Sequence, residues 1–292
     1  MFKSGFVNII GNPNVGKSTL MNAMVGEKLS IVTAKAQTTR HRIMGIVTGE
    51  DYQVVFSDTP GILKPNYRLQ ENMMKFVNGA IGDADIILYV TDTLETSDKN
   101  EDYVSRLNDL ECPVIVVINK IDISDQTRVK ELMTWWQEHV PAATVIPASA
   151  SEKFNMESII DAVVSRLPVC PPWFDKDAFT DKSLRFFASE IIREKILLNY
   201  KEEIPYCCEV GIETFKEGSE RYDIGAVIYV MRESQKGIII GKQGASLKKV
   251  GTQARIEMED FFQKKVFLSI YVKTDPDWRE SRKELRKFGY EE

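Results

Sequence analysis

The sequence predicts two folded parts of different class, an α/β doubly wound domain followed by an α+β domain. Three observations carry this. The chain has 292 residues, about twice an ordinary ~150-residue domain. Up to residue 168, apolar runs alternate with helical periods, the pattern of strands joined by helical crossovers. Pro168, Pro171 and Pro172 then interrupt any regular element, because proline neither continues a helix nor donates to a sheet ladder. The expected boundaries are 1–168 for the first domain, 169–182 for a proline-rich linker and 183–292 for the second domain with a helical tail.

In the first domain, strands are expected at 6–10, 53–57, 86–91, 114–119 and 144–147. The third and fourth are apolar without alternation, so both of their faces are covered, as in a parallel sheet between helix layers. Helical periods occupy 18–25, 69–81, 102–110, 127–139 and 156–166. The second domain reads as helix 183–200, strands 206–215 and 221–232, a short helix 234–240, a long helix 245–263 and a strand 266–272.

Composition removes several classes. Hydrophobic residues make up 43% and charged residues 28%, which excludes a disordered or fibrous chain. No apolar run approaches the ~18 residues of a membrane span. The N-terminus lacks a signal-peptide pattern, so a cytosolic protein is expected. Cys112, Cys170, Cys207 and Cys208 show no C-x-x-C spacing and read as reduced thiols. Cys207 and Cys208, adjacent in a strand, would face opposite sides. His41 and His139 are the only histidines, so metal chemistry would use oxygen ligands. The net charge of −5 divides into −6 before residue 180 and +1 after it. A nucleic-acid partner must therefore be argued from a local site rather than from bulk charge.

Gly11-Asn12-Pro13-Asn14-Val15-Gly16-Lys17-Ser18 fits G-x-x-x-x-G-K-[ST], and Thr19 follows it. The motif lies after the first strand and opens a helix. Its backbone N–H groups can wrap a diphosphate, aided by the helix N-terminus. Lys17 supplies a point charge to the β- and γ-phosphates, and the Ser18 hydroxyl can ligate Mg²⁺.

Asn119-Lys120-Ile121-Asp122 ends a central strand, at the edge where open parallel sheets bind ligands. An aspartate there can accept two hydrogen bonds from guanine, which adenine does not offer, so Asp122 selects GTP and GDP. Asn119 can brace the loop, and the stem of Lys120 can lie over the base. Asp58-Thr59-Pro60-Gly61 ends another strand. Asp58 fits the aspartate that holds Mg²⁺, and the Gly61 N–H can approach the γ-phosphate. Ser149-Ala150-Ser151 could offer backbone N–H to guanine O6.

Together with the segment Lys-Ala-Gln-Thr-Thr-Arg-His-Arg-Ile-Met-Gly-Ile-Val at 35–47, this set resembles the Era family of GTPases, over nearly the whole chain. The resemblance implies a P-loop GTPase domain followed by a KH domain. It also implies that Thr39, or alternatively Thr38, closes over Mg²⁺ when GTP is bound. Ile62 stands where Ras-like GTPases carry a water-orienting glutamine, so catalysis falls to Lys17, Thr39, the Gly61 backbone and a cation near Asn14. Asn14 resembles the loop asparagine that ligates K⁺ in some related GTPases; its other reading is a plain loop residue.

Gly241-Lys242-Gln243-Gly244 joins the short helix to the long one, and the surrounding order resembles a type II KH domain. Such a loop clamps nucleic-acid backbone, with Lys242, Lys248 and Lys249 adding charge. The apolar run 238–240 is expected beneath the bases. From Arg232 to Arg255 there are six basic residues and one acidic. The tail after residue 276 reads as a helix capping the sheet, with an RNA contact or a membrane-surface helix as alternatives. The family implies a monomeric GTP-hydrolysing switch that binds small-subunit ribosomal RNA and assists assembly of the small ribosomal subunit. Its expected place is the cytoplasm, with peripheral contact at the inner face of the cell membrane. A GTPase of tRNA modification or membrane association, using the KH domain for another RNA, is the alternative.

Overall fold

The computed structural model describes residues 1–96 and 101–291. They form two compact units. The first comprises Met1–Ser30, Thr39–Lys64 and Met73–Asp181. The second comprises Lys182–Glu292 together with two short segments, Ile31–Thr38 and Pro65–Asn72.

The first unit is built on β1 (Lys3–Ile10), β2 (Ile43–Thr48), β3 (Tyr52–Asp58), β4 (Ile86–Asp92), β5 (Val114–Asn119) and β6 (Thr144–Pro147). The sheet order is β2-β3-β1-β4-β5-β6. All neighbours are parallel except β2, which runs antiparallel to β3. The intervening helices are α1 (Lys17–Val25), α2 (Arg68–Gly82), α3 (Glu101–Asn108), α4 (Gln126–His139) and α5 (Met156–Arg166). Every residue of β4 and β5 is buried, which is why neither strand alternates. Burying each large aliphatic side chain contributes about 1.5–3 kcal/mol. The edge strand β2 is an addition to the strands expected from sequence. It follows directly on the polar stretch 33–42, and pairing with β3 defines it.

The proline-rich stretch read as a linker is strapped along this unit. Val169 bridges Lys3, and Thr180 bridges Gly45. The Ser4 hydroxyl donates to the carbonyls of Cys170 and Pro171 at 3.3 and 2.5 Å. The Gln53 side chain accepts from the N–H groups of Trp173 and Phe174 at 2.8 and 3.0 Å. Proline cannot donate, but its carbonyl still accepts, so the stretch docks without becoming a strand.

The second unit contains α6 (Leu184–Asn199), α7 (Ile204–Cys207), β7 (Cys208–Glu217), β8 (Arg221–Val230), α8 (Glu233–Ile240), α9 (Ala245–Phe262), β9 (Lys265–Thr274) and α10 (Arg282–Lys287). The sheet order is β7-β8-β9, antiparallel then parallel. Ser183 caps α6 by accepting from the Phe186 N–H at 3.3 Å. One sheet face and the helices share a core that includes Ile192, Ile196, Val210, Ile228, Val250 and Met258. Cys207 ends the short helix α7, while Cys208 begins β7, and both are buried. Their expected strand alternation therefore does not arise. The tail packs on the sheet: Trp278 and Leu285 are fully buried, and Trp278 Nε1 donates to the Cys207 carbonyl at 3.2 Å.

Candidate functional site: four nucleotide loops and a G-x-x-G turn

The order of the first sheet reverses direction beside β1, and the loops that leave β1, β3, β5 and β6 meet at their carboxyl edge. These are the loops singled out above. Lys17 begins α1, and Gly16 caps it at φ 96°, in the left-handed region. A Cβ on Gly16 would collide with the Asn119 side-chain amide, so this turn requires glycine. Asn119 is the brace: its Nδ2 donates to the Val15 carbonyl at 2.9 Å, and its Oδ1 accepts from the Ala150 N–H at 3.0 Å. One buried amide thus joins the phosphate loop to the Ser149–Ser151 loop. Lys120 Nζ donates to the Asn14 carbonyl at 2.6 Å, stretching its stem across the same opening. Asp122 is exposed, and the Ser149 hydroxyl donates to its Oδ1 at 2.6 Å. That bond orients the carboxylate, and both of its oxygens keep acceptor capacity.

Ser18, Thr39 and Asp58 converge. The hydroxyls of Ser18 and Thr39 stand 2.8 Å apart, and they lie 2.7 and 3.4 Å from Asp58 Oδ2. Asp58 Oδ1 is buried with no hydrogen-bond partner among the described residues. Burial raises the carboxyl of Asp58, against the Ser18 hydrogen bond and the Lys17 charge. Three hard oxygens with an unsatisfied buried carboxylate atom fit Mg²⁺. Thr38 is not part of this group. Its hydroxyl bonds the Thr33 hydroxyl at 2.7 Å and the Lys35 carbonyl at 2.6 Å. Gly61 lies against Pro13, where an added Cβ would approach its Cα to 2.9 Å, so the Gly61 backbone reaches the phosphate loop closely. The Thr59 hydroxyl is turned inward, donating to the Ile9 carbonyl at 2.8 Å. Pro60 is buried, Asn12, Thr19 and Ser151 line the loops, and Asn14 is exposed at φ 67°.

Two residues that shape this site carry no motif. Asp92, at the end of β4, accepts from Lys120 Nζ at 2.6 Å, and its other oxygen accepts from the N–H groups of Leu94 and Glu95. Glu95 is buried and acts electrostatically on Lys17. A carboxylate ending a central strand, on the edge where the other loops gather, is the signal that could have found Asp92.

Lys17 Nζ donates to the carbonyls of Gly11 and Asn12 at 3.0 and 2.8 Å. Burial lowers its ammonium from the ordinary value to about 8, while Asp58 and Glu95 pull it upward. A bound diphosphate raises it again. Nucleotide binding without Mg²⁺ should therefore weaken as pH rises past about 8, where the free protein loses the Lys17 proton that a bound diphosphate restores. Calorimetry of GDP binding at pH 8.5, in buffers of different ionisation heat, should show net proton uptake. Binding without uptake would contradict the assignment.

In the second unit, Gly241, Lys242, Gln243 and Gly244 form the turn between α8 and α9. Gly241 has φ 71°, and a Cβ there would collide with Ser246 Oγ. Lys242, Gln243, Lys248 and Lys249 are exposed. Helix α9 starts without a side-chain cap, so its first N–H groups can meet a phosphate. Of the apolar run, Ile239 is fully buried in the core and Ile238 is half-exposed. Only part of 238–240 can therefore meet bases, because a helix turns successive side chains to different faces.

A doubly wound sheet whose carboxyl edge gathers a G-x-x-x-x-G-K-S loop, an N-K-x-D loop and a cluster of three side-chain oxygens, followed by a G-x-x-G turn in an α+β unit, defines a P-loop GTPase carrying a KH domain. The family described as "50S ribosome-binding GTPase" matches residues 6–120, and the KH domain family matches residues 203–279. GTPase Era of Clostridium kluyveri is 42% identical over 292 residues, which cover 99% of this chain and 100% of that one. The chloroplastic GTPase ERA-like protein of Oryza sativa is 42% identical over 293 residues, covering 99% and 69%. A crystal structure of a single-residue variant of Aquifex aeolicus Era bound to GDP.AlF4- superposes with a TM-score of 0.95 at 38% identity, over 100% of both chains. Era in complex with MgGDPNP and nucleotides 1506–1542 of 16S ribosomal RNA gives the same score, identity and coverage. The chain belongs to the Era family of GTPases and is a GTP-hydrolysing enzyme.

Proposed function

We propose that the chain is a guanine-nucleotide switch that binds ribosomal RNA of the small subunit and acts in small-subunit assembly in the cytoplasm. The phosphate loop with Lys17 holds the phosphates, Asp122 reads guanine, and Ser18, Thr39 and Asp58 would hold Mg²⁺. When bound, that ion neutralises charge on the β- and γ-phosphate oxygens. The Gly61 N–H meets the γ-phosphate. The G-x-x-G turn with Lys242, Lys248 and Lys249 takes the RNA backbone.

One observation carries the switch. Thr38 and Thr39 are consecutive, yet they belong to different units. Thr39 stands with the metal oxygens. Within the second unit, Arg193 of α6 donates to the Thr38 carbonyl at 2.5 Å and pairs with Glu190 at 2.6 Å. Lys35 donates to the carbonyls of Leu197 and Tyr200, at the end of the same helix, where the helix dipole favours a cation. The segment Ile31–Thr38 is therefore part of the KH unit, and one peptide bond joins it to the metal site. A γ-phosphate that draws on Thr39 must move or load that segment. The ribosomal assignment is supported by the family's solved complex with 16S ribosomal RNA and by the basic turn.

GTP turnover measured with and without small-subunit ribosomal RNA tests this reading. The rate should change when RNA is present. Turnover indifferent to RNA would contradict the switch, and an absence of turnover would leave the nucleotide domain a structural one.

A further inference from the structure

The KH sheet has a second face. On β9, Val266, Leu268, Ile270 and Val272 pack toward the helices. The alternate residues Lys265, Phe267, Ser269, Tyr271 and Lys273 stand on the opposite side. Phe267 is 55% exposed and Tyr271 is 68% exposed, although large aromatic side chains are usually covered. The tail does not cover them. It covers β8 on this face, where Phe288 packs on Tyr229 with ring centroids 5.1 Å apart and Lys287 donates to the Tyr229 hydroxyl at 2.5 Å.

Charge and shape on this face point to one kind of occupant. Arg221 lies 5.4 Å over the Phe267 ring, Lys265 and Lys273 flank the two aromatics, and Lys216 stands opposite Asp223 on β7. The acids on this face are engaged: Asp223 pairs with Arg221 at 3.0 Å, Glu213 accepts from the Tyr229 hydroxyl at 3.3 Å and Glu209 accepts from the Tyr290 hydroxyl at 2.7 Å, while Lys265 reaches Glu259 only at 4.0 Å and stays exposed. Between the rings the surface is low, because Ser269 lies beside Gly225 on β8. Phe267 and Tyr271 are four residues apart, about 13 Å along the strand. Two exposed rings separated by a small-residue gap, with cations at either end, suit flat bases and phosphates in turn. A protein partner would use a continuous apolar patch, which Ser269 and Gly225 interrupt.

We propose that this outer face is a second RNA surface, binding single-stranded RNA by stacking bases on Phe267 and Tyr271 while Lys265 and Lys273 meet phosphates. It is distinct from the G-x-x-G turn and rests on the reading that the KH unit binds RNA.

The test uses the full-length chain and a fluorescent 30-nucleotide single-stranded RNA taken from the 3′ end of small-subunit ribosomal RNA. Both rings are largely exposed, so Phe267→Ala with Tyr271→Ala should lower the melting temperature by no more than a few degrees and leave the protein folded. The variant should bind at least about tenfold more weakly, with an unchanged salt slope, because stacking rather than ion release is removed. Ultraviolet irradiation should crosslink RNA to the 265–273 peptide of the natural chain. A natural chain that binds the RNA, with equal affinity in the variant and no crosslink there, overturns this surface and leaves the G-x-x-G reading standing. A natural chain that binds no RNA overturns both. Loss of binding to phosphatidylserine vesicles in the variant, with RNA affinity intact, would make the face a membrane contact and overturn the proposal.

Discussion

Replacing Asp122 with Asn should weaken GTP binding by on the order of 10²–10³-fold while permitting xanthosine triphosphate to bind. The carboxylate ends the Asn119–Asp122 loop and is oriented by the Ser149 hydroxyl at 2.6 Å. Two charge-assisted hydrogen bonds to guanine are each worth about 1.5–3 kcal/mol. The amide would retain one acceptor and present a donor where guanine also donates. Xanthine presents a carbonyl at that position, so the mismatch reverses. The substitution sits on an exposed loop residue and should leave the melting temperature of the nucleotide-free protein within about 2 °C. Titration with both nucleotides checks the result. Unchanged GTP affinity would remove Asp122 from base recognition.

The second large effect concerns RNA. Lys242→Asp together with Gln243→Asp should abolish most RNA binding, a loss on the order of 10²-fold at low salt, because two negative charges replace a cation and a neutral donor at the phosphates. The slope of log affinity against log salt should flatten by about one unit for each phosphate that the protein no longer neutralises. GTP binding should survive, since Lys17, Asp58 and Asp122 lie in the other unit. The same variant retains Phe267 and Tyr271, so any residual binding should disappear when those rings are also removed. RNA binding unaffected by the double substitution would reject the G-x-x-G turn as the clamp.

Much of this is legible from residue order, for physical reasons that can be named. The strands β4 and β5 announce themselves because a central parallel strand is apolar on both faces. The phosphate loop is legible because only glycine tolerates the φ of 96° at residue 16 beside Asn119. Edge strand β2 is hidden because its residues run on from a polar switch segment, and pairing with β3 is a long-range property. The choice between Thr38 and Thr39 stays open in one dimension, since both are threonines on one short stretch. In the fold, one hydroxyl meets Ser18 while the other turns to Thr33. Asp92 escapes a reading by motif because it lies in none, although it holds Lys120 at 2.6 Å. Arg193 is hidden in a helix that reads as ordinary. Its side chain is 1% exposed and finds Thr38 155 residues away in the chain.

Coupling of nucleotide state to RNA affinity, through the segment that ends at Thr38, is what a switch built in this way requires. The direct measurement is RNA binding by fluorescence anisotropy, with the protein held in GDP and in a non-hydrolysable GTP analogue. It is paired with titration of both nucleotides in the presence of RNA. Thermodynamic linkage requires the same factor in both directions, and a coupling of about 1–3 kcal/mol corresponds to roughly 5–150-fold. The two nucleotide states should differ within that range, and Arg193→Gln should shrink the difference while the affinity for GTP alone is kept. Identical RNA affinities in the two states of the natural chain would contradict it.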